Sequence, residues 1–302
     1  MDRVLKDKKA IFIFMFPAFT IFLCIVVLPI FFSGYYSLLE WGGIGKGTFI
    51  GLNNYAELIV NNSDGFREAV WNSIIMALMS VFIQLPIALI IALILSSGIK
   101  GEGFFRSTYF IPVLVSTVVI GQLWMKIYNP QYGLLNSLFE KVGLSSWKGE
   151  WIGNPDTALM AVFIPLVWQY IGYHMLLMYA AIKSIPQDII EAARIDGASP
   201  VKTSVLIIIP LIKSILEVCV VFAVIGSLKT FDLIYVLTGG GPMHATEVPS
   251  TLMFNTIFHG NMYGYGSAIA IFIIAECLVM TILIQRLFRV RAPSDAQLKE
   301  GI

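Results

Sequence analysis

Residues 11–39 read IFIFMFPAFTIFLCIVVLPIFFSGYYSLL and contain no charged side chain. A helix needs about 20 apolar residues to cross the roughly 30 Å hydrocarbon layer of a membrane, so this stretch is long enough to span one. It is also longer than the roughly 7–15 residue apolar core of a cleavable signal peptide. Tyr35, Tyr36 and Trp41 at its end are typical of a membrane interface. The stretch is therefore predicted to remain in the membrane as a helix.

Further long stretches with few or no charges follow the first. The sequence therefore predicts an all-α membrane protein with six transmembrane helices, at about 11–39, 69–99, 107–125, 157–182, 203–228 and 262–285. Composition agrees, because only 13% of the residues are charged, about half of the roughly 25% that is usual in soluble domains. The net charge of +1 does not favour nucleic-acid binding. No connection reaches domain size, so residues 1–302 are predicted to form a single transmembrane domain.

Lys and Arg residues are distributed unevenly between the two sides of the predicted membrane domain. Leaving aside Lys126, which adjoins the third predicted span, five lie in the connections 40–68, 126–156 and 229–261, whereas thirteen lie on the opposite side. Because cytoplasmic segments carry the excess of Lys and Arg, both termini and the connection 184–202 are predicted to be cytoplasmic. The thirteen are Arg3, Lys6, Lys8, Lys9, Lys100, Arg106, Lys183, Arg194, Lys202, Arg286, Arg289, Arg291 and Lys299.

Four prolines lie within the predicted spans or at their starts: Pro86, Pro112, Pro165 and Pro210. Proline lacks the backbone N–H of a regular helix, and its ring clashes with the preceding turn. Each is therefore expected to bend its helix or to mark a break in it.

The sequence contains no motif for an energy source or a catalytic centre. It has no G-x-x-x-x-G-K-[ST] phosphate loop and no recognisable Ser/His/Asp, Cys/His or H-E-x-x-H arrangement. Cys24, Cys219 and Cys277 all lie in apolar runs, with no spacing that is typical of a metal site. The chain is predicted to be a transport subunit and not an enzyme, with no catalytic residue, metal or cofactor of its own.

The connection 184–202 begins with SIPQDIIEAARIDGASP at 184–200. Pro186 suits the first turn of a helix, and Asp188 complements the positive end of the helix dipole. Gly197 can adopt the left-handed conformation that ends a helix, and Ser199 with Pro200 is typical of the start of the next one. Two short helices joined by a glycine turn are predicted. Both an amphipathic connector and a docking element fit this pattern.

This connection resembles a family signature, E-A-A-x-x-x-G followed after nine residues by I-x-L-P. The signature belongs to permease subunits of binding-protein-dependent ABC importers. The matching residues are Glu191, Ala192, Ala193, Gly197, Ile207 and Pro210, with Ile209 in place of the usual Leu. Four other stretches resemble the carbohydrate branch and its maltose-type first permease subunit: 71–73 (WNS), 105–112 (FRSTYFIP), 132–136 (YGLLN) and 237–247 (LTGGGPMHATE).

The resemblance implies the ABC type I importer permease fold, in a multi-pass subunit of a prokaryotic cytoplasmic membrane. It implies a second permease subunit, usually a different chain, together with two ATPase subunits that hold ATP and Mg, and an extracellular binding protein that delivers the substrate. The connection 184–202 would then be the coupling loop that contacts one ATPase subunit. Its candidate coupling residues are Glu191, Ala192, Ala193, Asp196 and Gly197.

The predicted fourth span contains the candidate substrate contacts. Polar residues inside a membrane are costly and often line a transport pathway. Here Gln169 and Tyr173, and Tyr170 and His174, are neighbours at the i,i+4 spacing of one helix face. Aromatic faces and neutral hydrogen-bonding groups suit a sugar. A hydrogen-bonded packing seam between helices fits the same residues.

Other polar positions leave alternatives open. Lys213 and Glu217 are i,i+4 neighbours that would neutralise each other, pair with another helix or form an ion relay. Glu276 would face a partner subunit or an aqueous cavity. Phe231, Asp232 and Tyr235 would line the outer vestibule or anchor the interface, and the sequence favours the anchor. The glycines at 239–241 predict either a tight turn or a loop that meets the binding protein.

The sequence predicts import of a di- or oligosaccharide as the function. Glycerol-3-phosphate is the alternative cargo, but an anion calls for basic residues in the cavity, and the predicted spans offer only Lys213 and Lys126. An ion-coupled secondary carrier that uses Lys213, Glu217 and Glu276 is the alternative class. Six spans without a visible repeat are few for such a carrier, and it would leave the 184–202 signature unexplained.

Overall fold

The computed structural model describes residues 8–62 and 64–289. Four of the basic residues used to predict the orientation, Arg3, Lys6, Arg291 and Lys299, lie outside the described residues. The chain divides into two compact units. The smaller one comprises residues up to 64 together with 252–274, and the larger one comprises 65–251 together with the residues from 275 onward.

The described residues are mostly α-helical. The long apolar helices and the shorter ones between them are, in chain order, α1 Lys8–Phe22, α2 Leu28–Tyr36, α3 Asn53–Ala56, α4 Phe66–Met79, α5 Leu85–Ser96, α6 Glu102–Leu114, α7 Thr117–Ile127, α8 Leu134–Lys141, α9 Pro155–Lys183, α10 Gln187–Ile195, α11 Pro200–Thr203, α12 Ile209–Leu211, α13 Lys213–Leu228, α14 Asp232–Leu237, α15 Pro249–Phe254 and α16 Tyr263–Arg289. Two strands, β1 Leu39–Glu40 and β2 Thr48–Phe49, pair in an antiparallel hairpin.

Three prolines share one local geometry. A five-residue π-helical turn precedes each of Pro29, Pro86 and Pro210, at Leu23–Val27, Ser80–Gln84 and Ser204–Ile208. The residue four positions before each proline lies inside the π turn, where proline would otherwise clash with a carbonyl. The wider π turn provides the space, so α1 continues into α2 and α4 into α5 as two long apolar spans, Phe12–Tyr36 and Phe66–Ser96.

Two of the predicted spans are broken rather than continuous. α6 and α7 meet at 97°, and the segment Pro200–Leu211 meets α13 at 76°. The breaks follow Pro112 and Pro210, which confirms the expectation for these two prolines. Pro165, in contrast, lies inside α9, which runs without interruption from Pro155 to Lys183. Four single helices and two bent pairs thus give up to six spans among the described residues.

The smaller unit is organised by its hairpin. The Asn54 side-chain amide donates to the carbonyls of Ser37 and Leu39, at 2.8 and 2.9 Å, and so fixes the chain between α2 and β1. Gly264 in α16 lies so close to the hairpin that a Cβ atom there would be 2.0 Å from the Leu39 carbonyl oxygen. The hairpin therefore packs directly on the first turn of α16.

The larger unit is built around α9. Half of its most apolar window is buried, whereas none of the corresponding window of Phe12–Tyr36 is. One end of α9 packs with α5 and α13 through Met175, Met178 and Ile182. The other end packs with α7 and α14 through Val162 and Phe163.

The α6 backbone crosses α9 at Gly172. A Cβ atom at this position would lie 1.9 Å from the Tyr109 carbonyl oxygen. Small residues permit this kind of close helix crossing in membranes.

Candidate functional site: a central cavity and an exposed elbow

The larger unit encloses a cavity of about 470 Å³. Four parts of the chain form its wall: α9, the π turn Ser80–Gln84, the break between α6 and α7, and the end of α13 with the turn after it. Where each part meets the cavity, its helix is interrupted or its side chains are polar. Its polar and aromatic lining includes Ser80, Gln84, Thr117, Tyr170, Tyr173, His174, Phe222, Ser227, Lys229, Thr230, Phe231 and Asp232.

Three of the four predicted substrate contacts meet in this lining. Tyr170, Tyr173 and His174 occupy one face of α9, and the Tyr173 ring lies 6.3 Å from the Phe222 ring of α13. The His174 side chain is buried, and its Nδ1 has no hydrogen-bond partner among the described residues. The site thus offers aromatic faces beside a neutral hydrogen-bonding group, which is the combination expected for a sugar.

Gln169, the fourth predicted contact, does not line the cavity. It is buried and donates from Nε2 to Thr117 Oγ1 at 3.0 Å, and Thr117 does line the cavity. Gln169 therefore joins α9 to the start of α7, at the break in the third span. For Gln169, this bond between α9 and α7 fits the hydrogen-bonded packing seam that the sequence offered as the alternative to sugar contact.

Of the alternatives open for the charged residues of the fifth span, Lys213 follows the one in which it pairs with another helix. Lys213 donates to the Phe288 carbonyl oxygen at 2.9 Å, at the last turn of α16, and among the described residues it forms no ion pair with Glu217. A cation at a helix C-terminus complements the helix dipole. Glu276 has a buried Oε2 without a hydrogen-bond partner in the described part of the chain. In the cavity lining, the formally charged side chains are Lys229 and Asp232, which have opposite sign.

Phe231 and Asp232, for which the sequence favoured an interface anchor, line the cavity. Other contacts around the cavity could not be found by reading single spans. Tyr235 stacks on Phe231 with ring centroids 5.2 Å apart. Ser80 and Ser227 are hydrogen-bonded at 2.9 Å although 147 residues separate them. In the sequence, the only signal of Ser80 and Ser227 was that they are polar residues within apolar runs.

The loop with the predicted glycine turn is held by its own polar network. Thr238 and Thr246 are joined by a hydrogen bond of 2.7 Å between their hydroxyls, and Thr246 also bonds to the Gly241 carbonyl. A Cβ atom on Gly240 would lie 2.3 Å from a carboxylate oxygen of the buried Glu247. The glycine is therefore required for the backbone to pass over this carboxylate.

The connection 184–202 contains the predicted pair of helices, α10 and α11. α10 ends at Ile195, and Gly197, the second residue after it, has a φ of +78°. The Gly197 N–H donates to the Arg194 carbonyl at 3.0 Å, and the Ala198 N–H donates to the Ala193 carbonyl at 2.9 Å. These are the two bonds of a Schellman motif. Residues 187–203, which contain α10, the glycine turn and α11, are called the elbow below.

The caps of the elbow follow the sequence closely. Ser199 accepts a hydrogen bond from the Lys202 N–H, and Pro200 begins α11 as predicted. The helix α10 begins one residue later than the sequence predicted. Pro186 is therefore its N-cap residue and does not lie in its first turn.

The predicted coupling residues divide between two faces of α10. Glu191, Ala192, Asp196 and Gly197 are exposed, whereas Ala193 is buried against the chain itself. Ala193 is therefore covered by this chain itself, and its part in coupling stays a prediction. Ile195 is 86% exposed at the end of the helix.

A second cluster fixes the end of α9 from which the elbow extends. Tyr179 donates to the Glu102 carboxylate of α6, and Lys183 lies 3.4 Å from the same carboxylate. The Arg106 guanidinium lies 5.5 Å from the centre of the Tyr179 ring. The cluster joins the first turn of α6 to the end of α9.

Comparison with known proteins identifies the class. Residues 9–291 match the family model described as "Binding-protein-dependent transport system inner membrane component". The chain is 36% identical over 287 residues to a probable ABC transporter permease protein, YurN, of Bacillus subtilis, with 94% of this chain and 97% of the relative covered. It is 35% identical to the trehalose/maltose transport system permease protein MalF of Thermococcus litoralis, with 95% and 96% covered.

The chain belongs to the family of binding-protein-dependent transport system inner membrane components. It is a permease subunit of an ABC importer, an integral membrane protein and not an enzyme. The fold agrees with a solved structure, a bacterial ABC transporter involved in the import of the acidic polysaccharide alginate. The TM-score is 0.82 with 22% identity, and 96% of this chain and 100% of that chain are covered. The fold is that of a type I importer permease.

Proposed function

We propose that this chain forms the passage for a neutral di- or oligosaccharide in an ATP-driven importer of a prokaryotic cytoplasmic membrane. The observation that carries the proposal is the cavity, whose lining combines the rings of Tyr170, Tyr173 and Phe222 with the buried His174. Sugar C–H faces pack on aromatic rings, and the hydroxyls of Tyr170 and Tyr173 in the lining would exchange hydrogen bonds with those of a sugar. The sugar-importing relative MalF supports the same class of cargo.

The charge of the lining favours this cargo over glycerol-3-phosphate. A phosphate needs an excess of cationic or N–H donors around it. Here the Lys229 charge is balanced by Asp232, and Lys213 is bound to the end of α16 outside the lining. The two cargoes are distinguished by measuring the uptake of the sugar and of glycerol-3-phosphate separately, in the reconstituted importer with its own binding protein. Uptake of glycerol-3-phosphate alone would overturn the choice.

The energy for transport would come from other chains. We infer a second permease, of a different sequence, and two ATPase subunits that hold ATP and Mg. The elbow would dock on one ATPase subunit through its exposed face, with Glu191, Ala192, Asp196 and Gly197. An extracellular binding protein would deliver the sugar to the opposite side of the membrane.

Proteoliposomes test the whole proposal. Uptake should require ATP inside the vesicles together with the ATPase subunits and the binding protein. A proton or sodium gradient should give no uptake when the ATPase subunits are omitted. Gradient-driven uptake by this chain without them would support the secondary carrier and contradict the proposal.

A further inference from the structure

The connection between α7 and α9 contains an apolar surface for which the transport mechanism has no use. Leu134, Leu138 and Val142 lie four residues apart on one face of α8 and its cap, and they are 70, 54 and 62% exposed. We call these three residues the α8 stripe. Residues at i, i+4 and i+8 form a continuous strip on a helix, so the exposure is a surface and not three isolated residues.

The opposite face of α8 already has partners in its own loop. Asn136 is buried, donates to the carbonyls of Pro130 and Gly149, and accepts from the Trp151 indole N–H at 2.8 Å. The Phe139 ring lies 5.8 Å from the Trp151 ring. The loop thus forms a folded element around Asn136, and the α8 stripe is the side that this folding leaves uncovered.

The start of α8 is fixed to the end of a membrane span. The Gly133 N–H donates to the Asn129 carbonyl at 2.9 Å. A Cβ atom on Gly133 would lie 2.6 Å from the carbonyl oxygen of Ile127, the last residue of α7. This approach of backbone to backbone holds α8 next to the end of α7, and α7 forms the end of the third candidate membrane span.

The other end of the element is fixed to the next span. Asn154 caps α9, and the Thr157 hydroxyl donates to the Trp151 carbonyl at 2.9 Å. Tyr132 and Trp147, the residue types enriched at membrane interfaces, are 69 and 60% exposed on the same element. Both attachments and both aromatic residues therefore place the α8 stripe at one membrane boundary.

We propose that α8 is an interfacial helix whose stripe is inserted between the lipid headgroups and the first acyl carbons. Helices of this kind bury an apolar face at the interface and keep charged residues on the other. In α8, Glu140 lies on the face away from the stripe, where it pairs with Lys148 at 2.9 Å. The lipid contact would fix the depth of the broken third span, because α7 and α8 share a rigid junction.

Collision with paramagnetic reagents tests the proposal in the complete importer in proteoliposomes. A nitroxide is attached to Leu138→Cys, or to Glu140→Cys as the matched control on the opposite face. Both variants are made in a background in which Cys24, Cys219 and Cys277 are replaced by Ala. At position 138, collisions with lipid-soluble oxygen should exceed collisions with a water-soluble nickel chelate several-fold, and the ratio should reverse at position 140.

Two results would overturn the proposal. Frequent collision with the nickel chelate at position 138 would place the stripe in water. Low collision with both reagents would place it under a protein partner. Val142→Cys provides a second label on the stripe if Leu138→Cys does not assemble. Because no transport is measured, failure here is separate from failure of the proposed sugar import.

Discussion

The elbow and the cavity differ in how their geometry is encoded. The elbow is formed by seventeen consecutive residues, and its turn is closed by hydrogen bonds between Ala193, Arg194 and their near neighbours. The cavity joins positions from Ser80 to Leu233, including the bond between Ser80 and Ser227. The elbow exposes most of its functional residues, whereas the cavity depends on buried contacts between helices. Changes in the elbow should therefore impair coupling and leave the fold intact, while changes in the cavity wall should affect folding or cargo.

The largest effect is expected at the crossing of α6 and α9. In Gly172→Val the new side chain would meet the Tyr109 carbonyl, 1.9 Å from the Cβ position, so the helices must separate. Overpacking costs about 1–3 kcal/mol even where side chains can shift, and here backbone must move. We expect loss of the assembled importer, measured as the yield of monodisperse complex in detergent.

Gly226→Ala is the matched control, because a Cβ atom on this glycine meets nothing within 4 Å. It should assemble normally, with a gain of up to about 1 kcal/mol from the higher helix propensity of Ala. Equal yields of the two variants would contradict the close crossing.

The next largest effect is expected in the elbow, with Gly197→Asp. A side chain there meets nothing within 4 Å in this chain, and Asp tolerates a positive φ better than most residues. Insertion and folding should be retained, while ATP-driven uptake falls by about tenfold or more, because the added carboxylate would enter the ATPase contact. Uptake is compared with the amount of ATPase that copurifies.

Gly98→Asp separates this effect from a general effect of loop charge. Gly98 also has a positive φ, +83°, and open space around it. Its change should leave uptake close to that of the natural sequence. Equal losses for Gly98→Asp and Gly197→Asp would remove the special role of the elbow.

A smaller effect is expected inside the cavity. Tyr173→Ala removes the ring that lies beside Phe222, and losing one aromatic contact costs about 1 kcal/mol. The KM for sugar uptake should rise roughly fivefold. ATP hydrolysis by the complex should persist, unlike in the elbow variant. Phe82→Ala, a change at an exposed position of the neighbouring π turn, should leave KM unchanged.

The smallest effect is expected at Lys213. Lys213→Met removes the bond to the Phe288 carbonyl, and hydrogen bonds between membrane helices contribute about 0.6 kcal/mol on average. The melting temperature of the complex should fall slightly. Glu217→Gln should have no effect on it, and the double variant should melt like Lys213→Met alone. A large coupling between the two positions would favour the Lys213–Glu217 pair, which was one of the alternatives that the sequence left open.

The predictions from sequence succeeded where a structure depends on neighbouring residues. The glycine turn at Gly197, the cap at Ser199 and the breaks after Pro112 and Pro210 all follow from local backbone chemistry, and each was predicted. The apolar runs indicated the spans for the same reason, since a single helix must satisfy its own backbone in lipid.

Contacts between distant elements were not predictable in this way. That Gln169 binds Thr117 and that Lys213 binds the end of α16 depend on how helices pack, which one span does not reveal. The burial of Ala193 next to the exposed Ala192 likewise depends on which face of α10 rests on the protein. The roles of these residues in coupling and cargo binding stay predictions.

Thiol protection at Ile195 tests most directly whether the elbow receives force from an ATPase. The residue is 86% exposed, so Ile195→Cys should react readily with a water-soluble maleimide when the permeases are purified alone. In the complex with the ATPase subunits, assembled without the binding protein, it should be strongly protected, while Ile44→Cys in the hairpin loop, exposed at 94%, should react equally in both samples. Unchanged reactivity of Ile195→Cys in every nucleotide state of the complete importer would contradict the account.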